Sequence, residues 1–222
     1  MTPLIDTTEM YLRTVWELEE EGIVPIRARL VERLSLSAPA VSETVARLEQ
    51  EGFLHVASNR RLELTEEGRR RATSVMRKHR LAERLLIDII GMDWEEIHNE
   101  ACRWEHVISD AVERRLIELL GAPATCPHGN PIPGLGGKQP SQHLVTMAEA
   151  AKVGCRATVS RISENLQVDV SAMRFLRKHG LRPGATTVLR MTDGHVIAAV
   201  ADESVKVDDA VAHQIYVVPV PD

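Results

Sequence analysis

The sequence predicts a mainly α-helical protein with small β parts, arranged as three successive domains. Three observations carry this. Residues 7–64 hold three short amphipathic segments followed by two strand-like runs. Residues 65–120 hold two long amphipathic segments. A Pro/Gly-rich stretch then leads into several short β-like runs. The expected domains are a winged helix-turn-helix over 1–73, a helical domain over 74–140 that includes a linker (121–145), and a small β-barrel-like domain over 146–222.

In TTEMYLRTVWELEEE (7–21), Met10, Tyr11, Val15 and Leu18 recur at helical spacing, and the segment ends near Gly22. IRARLVERL (26–34) is a second, shorter helix. Ser37 suits the N-cap of a third, APAVSETVARLEQE, with Pro39 allowed in its first turn and Gly52 after its end. FLHVAS and RRLELT read as a hairpin joined around Ser58-Asn59. Thr65 opens a long helix running to Gly91. Asp93 and Glu96 fit a capping box for a second, WEEIHNEACRWEHVISDAVERRLIELL, running unbroken to Gly121. Two such helices suggest a bundle and a dimer interface. GAPATCPHGNPIPGLGGKQPSQ reads as a linker, in which Cys126 is a free thiol. CRATVSRI, TTVLRM, HVIAAV and IYVVPV are strand-like, interrupted by the helical SAMRFLRKHG.

The 222 residues are 44% hydrophobic and 27% charged, as in ordinary globular proteins. No stretch approaches the roughly 20 apolar residues of a membrane span, and the N-terminus lacks a signal-peptide core, so a cytoplasmic location is expected. Three scattered cysteines are not a disulfide framework. The net charge of −5 argues against indiscriminate nucleic-acid binding. Residues 1–73 carry ten Arg and no Lys against thirteen acids. DNA affinity must therefore come from a local patch or from two copies of it. The third helix would be the DNA-reading one, with Ser37, Pro39, Ser42 and Glu43 at its exposed start. Arg27, Arg29, Arg47 and Arg60 surround it and can reach phosphates, which supply affinity and register. A solvated arginine face on a protein-binding winged helix is the plainer alternative.

A second pattern lies in the long helices. His79 and Glu83 sit four apart on the first. His98, Cys102, Glu105 and His106 run along one face of the second. Imidazole, carboxylate and thiolate are competent ligands for divalent transition metals, and the thioether of Met10 is a soft one. A Cys102–His106 nucleophile pair is disfavoured, because both side chains point the same way from one helix with no oxyanion hole in view. The spacings are also not those of zinc proteases. No enzymatic activity and no organic substrate are expected.

These residues resemble those of the diphtheria toxin repressor family, and more narrowly its iron-dependent regulator branch. The resemblance rests on DTTEMYLRT (6–14), VSETVARLEQEG (41–52), VMRKHRLAERLL (75–86), HNEACRWEHVISDAVERRL (98–116), GNPIPG (129–134) and RATVSRISENLQ (156–167). It implies an SH3-like third domain. It also implies a homodimeric, metal-activated repressor of double-stranded operator DNA that controls iron homeostasis genes, with two metal sites per subunit. The primary site would use Met10, Cys102, Glu105 and His106. The ancillary site would use His79, Glu83 and His98, completed by Glu164 and Gln167. The Met/Cys pair resembles the iron branch, so Fe(II) is the expected physiological metal, with Mn(II), Co(II), Ni(II) or Zn(II) substituting in vitro. Two other readings are a manganese-responsive repressor and a paralogue with a shifted operator. Glu43 motivates the latter: it stands where the iron branch usually has Gln, and a carboxylate only accepts hydrogen bonds. A metal-storage or redox protein without DNA is an alternative of a different class.

Metal on Met10 and the second long helix would fix the angle of the DNA-binding domain. Without metal, repulsion between the acids is expected to loosen the protein, and the resemblance adds an ordering change over Met1–Asp6. The prolines of NPIPG, with Pro140, also suit docking onto the SH3-like surface.

Overall fold

The computed structural model describes residues 6–135, 144–201 and 203–220. Pro140 and most of the Met1–Asp6 segment lie outside the described residues. The chain divides into two compact units, Met1–His79 with Cys102–Arg114, and Arg80–Ala101 with Arg115–Asp222.

The first unit opens with α1 (Thr7–Glu20), α2 (Arg27–Leu34) and α3 (Ala38–Gln50). Asp6 caps α1, its carboxylate accepting the N–H groups of Thr8 at 2.8 Å and Glu9 at 3.2 Å. Ser37 caps α3, with Pro39 in the first turn, where its missing N–H costs nothing. Strands β1 (Leu54–Val56) and β2 (Leu62–Leu64) pair antiparallel, Leu54 opposite Leu64, with Arg60 at the tip in left-handed backbone (φ 68°). All five elements feed one core: Tyr11, Val15 and Leu18 from α1, Leu30 from α2, Val41, Val45 and Leu48 from α3, and Leu54 and Leu62 from the hairpin. Met10 packs against this core. The Thr65 hydroxyl accepts the Gly68 N–H at 3.1 Å and so starts α4 (Glu66–Leu85), as its position before the run of helix formers predicts.

The second long helix is not continuous. It is two helices, α5 (Ile97–Trp104) and α6 (Asp110–Leu119), separated by a turn over Glu105–Val107. The Trp104 carbonyl accepts from Val107 and Ile108. The Ser109 side chain then accepts the Val112 N–H at 3.3 Å, capping α6. Within the first unit, Arg77 pairs with Glu113 and Lys78 with Asp110.

In the second unit, α4 runs into one π-helical turn (Leu86–Ile90) that stops at Gly91. The stretch after Gly121 is not a plain linker. Ala124–Ile132 folds into a tight turn: Cys126 and Asn130 are hydrogen-bonded through backbone at 2.8 Å, and Ile132 N–H donates to the Ala124 carbonyl. Cys126, His128, Asn130 and Ile132 are all buried. The remaining chain forms β3 (Val145–Thr146), α7 (Met147–Val153), β4 (Cys155–Ile162), α8 (Glu164–Gln167), α9 (Val170–Lys178), β5 (Thr186–Thr192), β6 (His195–Val200), β7 (Glu203–Val207), α10 (Asp209–Ala212) and β8 (Ile215–Pro219). The six strands make one antiparallel sheet in the order β3-β8-β4-β5-β6-β7. A capping box between Thr146 and Glu149 starts α7. Buried Met147, Ala157, Val159, Leu189, Val196, Ala198 and Val217 form the domain's interior. This is the SH3-like domain.

The 124–132 turn is stitched to the end of β4. Ile162 N–H donates to the His128 carbonyl at 3.0 Å, and the Asn130 amide donates to the Ile162 carbonyl at 2.8 Å. Gly129 has φ +85°, and a Cβ there would stand 2.0 Å from the Ser160 carbonyl oxygen. Gly129→Ala is therefore expected to destabilise the second unit by at least about 2 kcal/mol, combining left-handed strain with a backbone clash. Denaturant unfolding of the variant checks this.

Candidate metal centre

The first unit buries a carboxylate. Glu105 lies in the turn after α5, its side chain 2% exposed. Arg13 of α1 places Nη1 2.6 Å from both of its oxygens and 3.6 Å from the Cys102 sulfur, which can accept from it. His79 Nδ1 is 2.7 Å from Oε2, and His106 Nε2 is 3.2 Å from Oε1. The other nitrogen of His106 meets Glu9 at 2.6 Å. Glu17 anchors Arg13 through Nε at 2.5 Å.

These contacts set the protonation states. Burial raises the Glu105 pKa, but the Arg13 charge and the hydrogen bonds from His106 and His79 overcome it and hold the group well below the usual carboxylate range. Burial lowers the His106 pKa, but hydrogen bonds to Glu105 and Glu9 outweigh it and raise it from 6.5 to about 9. Both ring nitrogens of His106 face carboxylates, which favours its protonated form. Glu105 and Glu9 each meet a cation or an imidazole.

The second unit gathers another cluster. Glu83, His98, Glu164 and Gln167 are all buried. His98 Nδ1 lies 3.5 Å from Glu83 and 3.3 Å from Glu164. Arg80, fully buried, pairs with Glu164 at 2.8 Å. Ser163 caps the single-turn helix α8, which puts Glu164 and Gln167 on its inner side. The Gln167 amide donates to the Ile162 carbonyl, while its Oε1 is buried with no hydrogen-bond partner among the described residues.

Two further residues, outside the expected ligand sets, join this cluster. Cys126 and His128 join Glu83, their ligand atoms all within 4.8 Å of one another. His128 Nε2 is 3.2 Å from the Trp94 carbonyl, so it donates there, and Nδ1 faces Glu83 at 3.1 Å. Burial, then the Glu83 and Glu164 charges, push the Cys126 thiol well above its ordinary pKa, which favours the protonated thiol. The available sequence signal is Cys-Pro-His, two ligand types one residue apart, inside a stretch whose composition reads as a linker.

Of the expected primary set, Cys102 and Glu105 meet Arg13 and His106 meets Glu105, while Met10 lies one helical turn before Arg13 on α1. Of the ancillary set, Glu83, His98, Glu164 and Gln167 share the second unit, and His79 is hydrogen-bonded to Glu105 in the first. Both donor sets, borderline nitrogen and sulfur with carboxylate, fit a divalent transition metal. Gln167's orphaned oxygen is a further unused donor.

Of the residues expected to contact DNA, Ser37, Pro39, Ser42 and Glu43 are exposed at the start of α3. Arg29 pairs with Glu32, and Arg47 with Glu51. Arg60 projects from the hairpin tip. Arg27 is half-buried, with its Nε enclosed and without a hydrogen-bond partner among the described residues. No helix among the described residues is long and apolar enough to cross a membrane.

The sequence matches the iron dependent repressor N-terminal DNA binding domain over residues 3–62 and the iron dependent repressor metal binding and dimerisation domain over 65–134. It matches the diphtheria toxin repressor SH3 domain over 144–218. It is 49% identical to the iron-dependent repressor IdeR of Mycobacterium tuberculosis, across 98% of this chain and 99% of that protein. It is 48% identical to the diphtheria toxin repressor of Corynebacterium glutamicum, across 98% of each. Among solved structures, a manganese-dependent transcriptional repressor in complex with manganese superposes with a TM-score of 0.83, at 30% identity over 96% of this chain and 100% of that one.

The raised pKa of His106 has a consequence for stability. Its stabilising contribution is full below its unfolded value of 6.5 and is lost as pH rises through about 9. In chelator, thermal unfolding midpoints are expected to fall across that window in wild type and to fall less in His106→Gln.

Proposed function

The chain belongs to the iron-dependent repressor family of metal-dependent transcriptional repressors, and on that premise we propose that it is a cytoplasmic, homodimeric, Fe(II)-activated repressor of a palindromic operator. The observation that carries this is the cluster around Glu105. It ties α1, which packs the core behind α3, to the turn after α5. A divalent ion bound there would supply one positive centre for the thioether of Met10, the thiolate of Cys102, the carboxylate of Glu105 and the imidazole of His106. Met10 packs against the same core as Val41, Val45 and Leu48 of α3. A restraint on Met10 therefore orients the DNA-reading helix, and in a dimer sets its spacing from the partner's copy, about 34 Å for half-sites one turn apart.

Iron is favoured over manganese by two sulfur donors, since manganese suits oxygen ligands. The 49% identity to an iron-dependent relative, against 30% to the manganese-dependent structure, supports the same choice. Co(II), Ni(II) and Zn(II) are expected to substitute in vitro. The second metal site is assigned to Glu83, His98, Glu164 and Gln167, to which the family resemblance adds His79. Cys126 and His128 extend it with a thiolate and an imidazole. Exposed Ile89, Ile90 and Leu119 of the second unit, and Val107 and Val112 of the first, supply apolar surface for a dimer contact. In α3, Ser37, Pro39, Ser42 and Glu43 meet base edges, and Arg27, Arg29, Arg47 and Arg60 meet phosphate. Each ion-paired arginine must then exchange its acid for a phosphate, which makes binding strongly salt-dependent. No enzymatic role is proposed.

Two experiments follow. Cys102→Ala and Met10→Ala are expected to fold normally by circular dichroism yet need on the order of 100-fold more metal for operator binding, at least the loss seen when mere outer-shell partners are removed. A variant with the wild-type metal requirement would overturn the primary-site assignment. An anaerobic mobility shift on an iron-type palindrome, with chelator, Fe(II) or Mn(II), is expected to give an iron-dependent shift. If only Glu43→Gln shifts, the metal machinery stands and the natural operator differs.

A further inference from the structure

We propose that Arg13 is a resident counter-cation of the primary metal centre, occupying the Glu105–Cys102 cleft in the metal-free protein and competing with metal for it, so that it sets the metal concentration at which the repressor switches on. This rests on the reading of Met10, Cys102, Glu105 and His106 as the primary site.

The geometry is specific. One guanidinium nitrogen, Nη1, sits 2.6 Å from both Glu105 oxygens and 3.6 Å from the Cys102 sulfur, touching two of the four assigned donors at once. Arg13 is 12% exposed and Glu105 2% exposed, so the pair is shielded from screening by solvent. A guanidinium is always charged and cannot deprotonate to make room. A dication bonded to Glu105 and Cys102 would stand within a few ångströms of it, at strong like-charge cost. Entry of metal therefore requires Nη1 to leave.

The structure also supplies a place to hold the departing side chain. Arg13 Nε is already bonded to Glu17, one turn along the same helix, at 2.5 Å. The arginine can rotate its Nη1 end away while Nε keeps that anchor. Arg13 and Met10 lie three residues apart on α1, so the arginine and the thioether are alternative ties from one helix to the 102–106 segment. On this proposal activation is an exchange of cations.

The test uses full-length protein, anaerobic, with Co(II) as the probe, competed against a chromophoric chelator. Occupancy of the primary centre is read from the thiolate-to-cobalt absorption that Cys102→Ser removes. Arg13→Leu is expected to bind Co(II) at this centre at least tenfold more tightly than wild type, and to unfold at lower temperature in chelator. Arg13→Lys, a compact charge unable to span both donors, is expected to lie between them and decides the matter if Arg13→Leu does not fold. Unchanged or weaker cobalt affinity in a folded variant overturns the proposal and leaves the metal centre standing. Absence of any Cys102-dependent band in wild type overturns the centre, and the proposal with it.

Discussion

A buried carboxylate organises the first unit. An isolated ionised carboxylate in a protein interior is opposed by a desolvation cost of several kcal/mol or more, so it persists only with charge and hydrogen bonds arranged around it. Glu105 meets that demand with Arg13 from α1, His79 from α4 and its neighbour His106, which in turn holds Glu9. The placement of α1 against the 102–106 turn follows from that compensation, and α1 also forms one wall of the winged-helix core. Charge balance at one carboxylate is thereby connected to the position of α3 in the DNA-binding domain. The second unit repeats the principle, with buried Arg80 on Glu164.

On the proposed reading, the repressor exchanges positive charge when metal binds. Arg13 and the imidazoles already balance Glu105, so in the proposed site metal affinity depends on what must be displaced as well as on what binds. A ligand shifts a conformational equilibrium only by its differential affinity for the two states. Here the differential is bounded by the ties that already hold α1. The winged helix itself is net negative, with thirteen acids against ten arginines over residues 1–73. DNA binding by a single copy would be weak, which suits a switch that works by orienting two copies together.

Much of this was legible in the sequence because local chemistry announces local structure. Ser37 and Thr65 act as caps where their positions predict, and the apolar spacing of Met10, Tyr11, Val15 and Leu18 marks the buried side of α1. The runs at 155–162, 186–191, 195–200 and 215–220 coincide with β4, β5, β6 and β8. The break between α5 and α6 was not legible, since residues 94–120 keep helical periodicity with no Gly or Pro inside. Tertiary pairing of Glu105 accompanies the break, and only Ser109 before Asp110 hints at a new cap. Cys126 and His128 were hidden by linker-like composition, although the backbone of that stretch is bonded to the end of β4. Arg13 was hidden because an arginine four residues before a glutamate reads as a solvated surface pair.

The most direct measurement is a crystal structure of the protein loaded anaerobically with one equivalent of Co(II), with the metal located by anomalous scattering. The expected result is a peak bonded by Met10, Cys102, Glu105 and His106, with the Arg13 guanidinium turned away from Glu105 and still held by Glu17. A peak remote from Glu105, or a filled site with Arg13 still bonded to both carboxylate oxygens, contradicts the exchange of cations on which the switch depends.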